Sequence, residues 1–174
     1  MLRLLLIDMQ RAFPGKSNLR NLVSSFFLDP GFKCVALYRV QQKLTKRFPR
    51  LSLLISSFNL RQTGAQFCVG ASIGQGLIVR HPVGIVVGGG VTIGDNCILA
   101  QGVTIGQKVI SIGAINLYPR LGNQVSVGAS AILLGDINIG DDVTIGAMTL
   151  VKSDLGNGVT VVGNPSRIVK NLEI

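Results

Sequence analysis

The sequence predicts a parallel β-solenoid preceded by a basic helical region, and three observations carry the prediction. From Leu121 to Leu155 an aliphatic residue returns at every sixth position (Leu121, Val127, Leu133, Ile139, Ile145, Val151), usually followed by Gly. A small or β-branched residue keeps the same phase four places on, at Val125, Ala131, Ile137, Val143 and Thr149. The phase also runs upstream through Val87, Ile93, Leu99 and Ile105, with Val91, Cys97 and Val103 in the second place. A sustained period of this kind marks a repeat architecture. Each unit of six reads as a short strand and a tight turn, three units make a triangular coil, and adjacent coils hydrogen-bond along the axis. The aliphatic residue fills the interior, the smaller one packs near the corner, and Gly is expected to supply the positive φ of the turn. A β-sandwich of short alternating strands rarely holds one phase over so long a stretch.

Composition agrees. The chain of 174 residues is rich in aliphatic side chains and has 22 Gly and no Trp, which suits a narrow interior. Its three cysteines, Cys34, Cys68 and Cys97, lack metal-ligand spacing, and Cys97 falls where other units carry Val or Ala. That usage points to a reducing, cytoplasmic setting. The apolar opening Met1–Ile7 is short and is interrupted by Asp8, so it reads neither as a signal peptide nor as a membrane span. The formal charge of +9 is concentrated at one end: residues 1–62 hold eleven Lys and Arg against Asp8 and Asp29, while residues 63–174 balance six against six. A solvated helical face and a contact with an anionic lipid or glycan surface both stay open; no recognition motif or interleaved aromatic marks nucleic acid.

In chain order, Met1 to Leu28 reads as two short helical pieces broken at Pro14-Gly15. Asp29-Pro30-Gly31 reads as a turn, with Asp29 capping the helix that follows. From Phe32, the residues Val35, Leu37, Tyr38, Val40 and Leu44 predict an amphipathic helix with Arg39, Lys43, Lys46 and Arg47 outward, ended by Pro49. Leu51–Leu60 reads as another apolar helix, and Thr63-Gly64 as the boundary between a helical region (1–62) and the repeat domain (63–174). Ile73 and Val79 start the repeat, and the frame slips by two residues before Val87, at His81-Pro82-Val83-Gly84. A second interruption, 107–120, is expected to project as a loop before the phase returns at Leu121. Past Leu155 the hexads weaken, and Gly163 to Ile168 reads as a turn into a short tail.

Histidine is the side chain best placed to act as a base near neutral pH, and this chain has one. His81 lies at the break in register, beside Gly84, Gly88, Gly89 and Gly90, a run expected to bare backbone N–H groups. A metal enzyme built on such a solenoid needs about three His ligands, so no metal is expected.

The runs TGAQFCVGASIGQGLIVRHPVGIVVGGGVTIGDNCILAQGVTIG, PRLGNQVSVGASAILLGDINIGDDVTIGAMTLVKSD and VVGNPSRIVK resemble the hexapeptide-repeat acyltransferases, and the serine acetyltransferase branch among them. The resemblance covers residues 63–170, and GFKCVALYRV resembles the helix before the repeat. It implies a left-handed parallel β-helix, a homotrimer with a site at each subunit interface, and acetyl-CoA as co-substrate. It implies His81 as general base, deprotonating a hydroxyl that attacks the thioester. It places Gly106, Gln107, Ala129 and Ala147 along the pantetheine arm, with Lys152 and Arg167 near the CoA phosphates.

The chain departs from the branch where the acceptor binds. Arg80 stands where the serine enzymes have Asp, Leu117 and Tyr118 where they have Arg and His, Gln66 where a carboxylate orients the His, and Gly89 where they have Glu. Asp29 is a candidate to replace an acidic contact, at a different spacing from the next helix. A free amino acid needs a cation for its carboxylate and an anion for its ammonium. With Arg80 kept and both matched anions lost, a saccharide hydroxyl held by Gln66, Tyr118, Arg80 and backbone groups is the expected acceptor, in surface polysaccharide synthesis. Serine O-acetylation and an inactive trimeric scaffold are the alternatives.

Overall fold

The structure, a computed structural model, describes residues 1–15, 18–108 and 117–169. Four helices come first: α1 (Leu2–Ala12), α2 (Leu19–Leu28), α3 (Pro30–Leu44) and α4 (Pro49–Thr63). The coils follow. The first holds β1 (Gln66–Phe67), β2 (Ser72–Ile73) and β3 (Ile78–Arg80); the second holds β4 (Val86–Val87), β5 (Thr92–Ile93) and β6 (Ile98–Ala100). The third holds β7 (Thr104–Gly106), β8 (Arg120–Leu121) and β9 (Ser126–Val127); the fourth holds β10 (Ile132–Leu134), β11 (Asn138–Ile139) and β12 (Thr144–Ile145). A last coil comprises β13 (Leu150–Val151), a bridge from Leu155 to Ile139, and β14 (Thr160–Val162); β15 (Arg167–Val169) closes on β14 antiparallel.

These strands form three parallel faces: face A is β1-β4-β7-β10-β13, face B is β2-β5-β8-β11, and face C runs from β3 through β6, β9 and β12 to β14. The hexad residues fill the prism as the period requires. Val87, Leu99, Ile105, Leu133 and Val151 are fully buried, as are Val125, Ala131 and Val143 in the second place. Each large aliphatic side chain so buried stabilises by roughly 1.5–3 kcal/mol.

The repeat glycines serve a different purpose from the one expected. Gly94 and Gly128 have ordinary negative φ, but a Cβ on Gly94 would lie 2.5 Å from Gly122 O and one on Gly128 2.6 Å from Ala147 N. They let one coil lie flat on the next. Positive φ falls instead on the corner residues, which are glycine at Gly76 and Gly158 as expected, but Asn96, Gln124 and Asp142 in the coils between. Along that corner a side-chain ladder links the coils: Asp95 Oδ1 accepts from Gln75 N, Asn123 Oδ1 from Asp95 N, Asp141 Oδ1 from Asn123 N, and Asn157 Oδ1 from Asp141 N, at 2.6–2.9 Å.

The helical region caps the first coil, and the free edge of that coil explains how. Coils pair along the axis in both directions, as in Gln66 N to Ile85 O and Gly102 N to Val83 O. Carbonyls of the first coil that face away from the second must find donors elsewhere. Tyr38 Oη donates to Ala71 O (2.9 Å), Gln41 Nε2 to Phe67 O (2.8 Å) and Arg39 Nη1 to Ile73 O (2.7 Å). Arg39, expected on the outer face of its helix, is thus buried, and its Nε meets the buried Asp8 at 2.8 Å. Asp8 Oδ1 also accepts from Gly76 N (2.7 Å) and Leu77 N (3.1 Å).

Three other expectations change. Pro30 and Gly31 open α3 rather than form a turn, with Asp29 capping it as foreseen (Phe32 N to Oδ1, 2.6 Å). Pro49 does not end α3, which stops at Leu44; it occupies the first turn of α4, where its missing N–H costs nothing. Arg167 and Ile168 pair as strand rather than turn. Of the expected loop 107–120, residues 109–116 lie outside the described residues, and Arg120 already belongs to β8. Among the described residues no helix is long and apolar enough to cross a membrane.

Candidate active site

Where face C turns back into face A, the corners stack into a ridge: Gly102 N donates to Val83 O, Ser130 N to Gln101 O and Met148 N to Ala129 O, at 2.8–3.0 Å. In the first coil this corner is longer, with eight positions from Val79 to Val87 where Leu99 to Ile105 takes six. Gly84 stacks over Gly102 as the regular corner residue, so the surplus falls on His81 and its neighbours. His81 takes a left-handed φ of 53° and is exposed. The other non-glycine residues in that region occupy corners repeated in adjoining coils; His81 has no such counterpart.

Arg80 and His81 open onto a cavity of about 190 Å³. Its opposite wall comes from the helical region, with Ala12 and Phe13 at the end of α1 and Asp29, Pro30 and Gly31 at the start of α3. Gly31 makes this approach feasible, since a Cβ there would overlap the Val79 carbonyl on β3. The Asp8–Arg39 pair seats the same helices against the corner just ahead of β3. Asp29, Arg80 and His81 thus line one cavity. Asp29 is the member that spacing along the chain did not place; its signal was the D-P start of a helix.

The remaining residues are divided. Ala129 and Ala147 lie on the His81 ridge. Gly106, Gln107 and Lys152 lie along the opposite edge of face A. Tyr118 is at that opposite edge too, its ring laid over Gly88 and Gly90, where a Cβ would collide with it. Gln66 starts β1 with an exposed side chain, and neither it nor Tyr118 lines the cavity. Arg167 is exposed on β15. Of the glycine run, Gly84 and Gly88 do not bare their amides as expected: Gly84 N donates to Gly64 O and Gly88 N to Ile105 O, both 2.9 Å.

No cysteine is an activated nucleophile. Burial pushes the Cys34 thiol up to about 12 and raises Cys68 and Cys97 as well. Among the described residues no group of three or more His, Cys, Asp or Glu is placed to hold a metal ion.

No family model matches the chain. Individual proteins do. It is 37% identical over 163 residues to a serine acetyltransferase of Helicobacter pylori, covering 93% of this chain and 94% of that one. It is 36% identical over 170 residues to a serine acetyltransferase of Synechococcus elongatus, covering 97% of this chain and 69% of that one. The chain belongs to the serine acetyltransferase family. Its fold agrees: soybean serine acetyltransferase complexed with serine superposes with a TM-score of 0.86 at 29% identity, over 96% of this chain and 68% of the soybean chain. The Brucella abortus enzyme in complex with coenzyme A gives 0.87 at 26%, over 97% of this chain and 67% of its own. The left-handed parallel β-helix that the resemblance implies is therefore the fold, and as a member of this family the chain is an O-acetyltransferase. The family does not support the saccharide acceptor, and the cavity removes the physical reason for preferring it, since an anionic residue, Asp29, lines it together with Arg80.

Proposed function

We propose that this chain transfers the acetyl group of acetyl-CoA to the hydroxyl of serine, with His81 as general base. The observation that carries the acceptor is the shared cavity: Asp29 offers a carboxylate for the serine ammonium, Arg80 a guanidinium for its carboxylate, and His81 an imidazole for its hydroxyl. His81 takes the hydroxyl proton as the serine oxygen attacks the thioester carbonyl. The C–S bond then breaks, and the CoA sulfur leaves with the proton returned from the imidazolium. This arrangement meets the demand the family meets elsewhere, with the cation moved from the loop, now Leu117 and Tyr118, onto the strand beside the base.

For the donor, we place the pantetheine arm along the His81 ridge past Ala129 and Ala147. Gly106, Gln107, Lys152 and Tyr118 would then come from the facing edge of a second copy in a homotrimer. Their position at the far edge of face A in any one chain supports that division. Lys152 and Arg167 would meet the CoA phosphates, and Gln66 would flank His81 from the start of face A.

Release of CoA thiol from acetyl-CoA is to be measured with serine and with a panel of free and nucleotide sugars. Serine-dependent release supports the reading, and release with sugars alone overturns it. His81→Ala is expected to lower turnover by about 10²–10⁴-fold. Asp29→Asn keeps the helix cap but removes the charge, so it raises KM for serine with the fold intact.

A further inference from the structure

Gly84, Gly102, Ser130 and Met148 occupy the same corner of the His81 ridge in four successive coils. All four take a left-handed φ, of 76°, 70°, 57° and 56° in that order. The corner suits Gly, and the first two coils supply it. The fourth supplies Met, whose Cβ makes the same conformation costly. Among the described residues, Met148 is the one large apolar side chain at positive φ; the other non-glycine residues there are His, Asn, Gln, Ser and Asp. Met148 is also 76% exposed, so burial within its own chain does not offset the strain.

Its place on the ridge decides what it meets. Met148 N bonds Ala129 O, and its neighbour is Ala147. Both alanines belong to the stretch along which the pantetheine arm is placed, a placement on which the present inference depends. Between the His81 corner and Met148, the small residues Gly102 and Ser130 leave that stretch low. The two ends lie three strand spacings apart, about 14 Å. In an extended pantetheine arm about ten bonds, or about 12 Å, separate the sulfur from the carbon that bears two geminal methyl groups. With the thioester at His81, those methyls come level with Met148. They are the arm's apolar bulk, the remainder being amides, a hydroxyl and short methylene links, and a flexible thioether suits them. A contact between copies would follow the corner from coil to coil. Of the four residues stacked there, however, Met148 alone is large and apolar.

We infer that Met148 is a specificity residue for the donor, packing on the geminal methyl groups of the pantetheine arm and so favouring CoA thioesters over shorter ones. The full chain is tested by calorimetry with CoA, and by thiol release in the presence of serine from two donors. These are acetyl-CoA and S-acetyl-N-acetylcysteamine, which ends before those methyls. Met148→Gly should weaken CoA binding and lower kcat/KM for acetyl-CoA by about tenfold, through KM. With the short donor it should match the parent chain. Because φ at this position suits Gly, the variant should need no less denaturant to unfold, which separates lost binding from lost folding. Met148→Leu should stay within about threefold of the parent, whereas Met148→Gln, of equal length but polar, should resemble Met148→Gly. Equal losses with both donors overturn the inference. So does a Met148→Gly variant that binds CoA as the parent does, or one that drops to a smaller oligomer, which would make Met148 a contact between copies. Calorimetry needs no acceptor: a chain that binds CoA through Met148 but transfers nothing to serine overturns the serine reading and supports this one. A parent chain that binds no CoA overturns both.

Discussion

In the coils the large apolar side chains point inward and the polar ones outward; in α4 the order is reversed. The difference lies in what each element packs against. A coil closes on itself, so its interior is lined only by its own side chains and rewards aliphatic volume. Helix α4 lies against α3 and β1, where it meets the carbonyls of Phe67, Cys34 and Gln41, and it turns toward them the side chains able to donate. Helix α3 does the same with Tyr38, Arg39 and Gln41. The end of a stack of strands rewards donors, and its middle rewards methyl groups.

Four substitutions would break or sharpen this contrast. Leu133→Ala, at the centre of the prism, should cost about 2–5 kcal/mol in denaturant unfolding. Asn59→Leu places an apolar side chain on the inner side of α4 and removes its bonds to the Cys34 carbonyl and the buried Thr63 hydroxyl; about 1–3 kcal/mol should be lost, although the change raises hydrophobicity. Asp141→Ala removes one rung of the corner ladder, which joins Asn123 N at 2.6 Å, and about 0.5–1.5 kcal/mol is expected from the same measurement. Leu54→Ser, on the outer side of α4, should stay within about 0.5 kcal/mol of the parent protein. Equal losses at Leu54 and Leu133 would mean that the helix buries its apolar side after all.

The coils were legible because their signal is a phase, and a phase survives any single exception: Cys97 and Thr149 occupy second places and are buried there as readily as Val. The helices were legible as helices but not as to which side they bury, because Arg39 and Ser56 are drawn inward by carbonyls supplied from Ile73 and Phe67, far along the chain. The same limit applies to the site. His81 showed itself through the break in register, which is local. Asp29 belongs beside it only because Gly31 lets α3 reach β3, a contact that spacing along the chain does not reveal. Tyr118 is read as an acceptor contact from the resemblance, where the serine enzymes have His, and nothing in its spacing shows that its ring lies over Gly88 and Gly90.

One consequence follows from β15. Each inner coil pairs with a parallel neighbour on either side, so a bare stack would end in two open edges. Such a rod could grow by adding copies head to tail, each covering the last edge. The helices cover the edge of the first coil, and β15, running antiparallel on β14, occupies an edge that a further parallel coil would need. Nothing within a hexad states how many hexads there should be. It is the two dissimilar closures that turn a pattern capable of polymerising into a molecule of definite length.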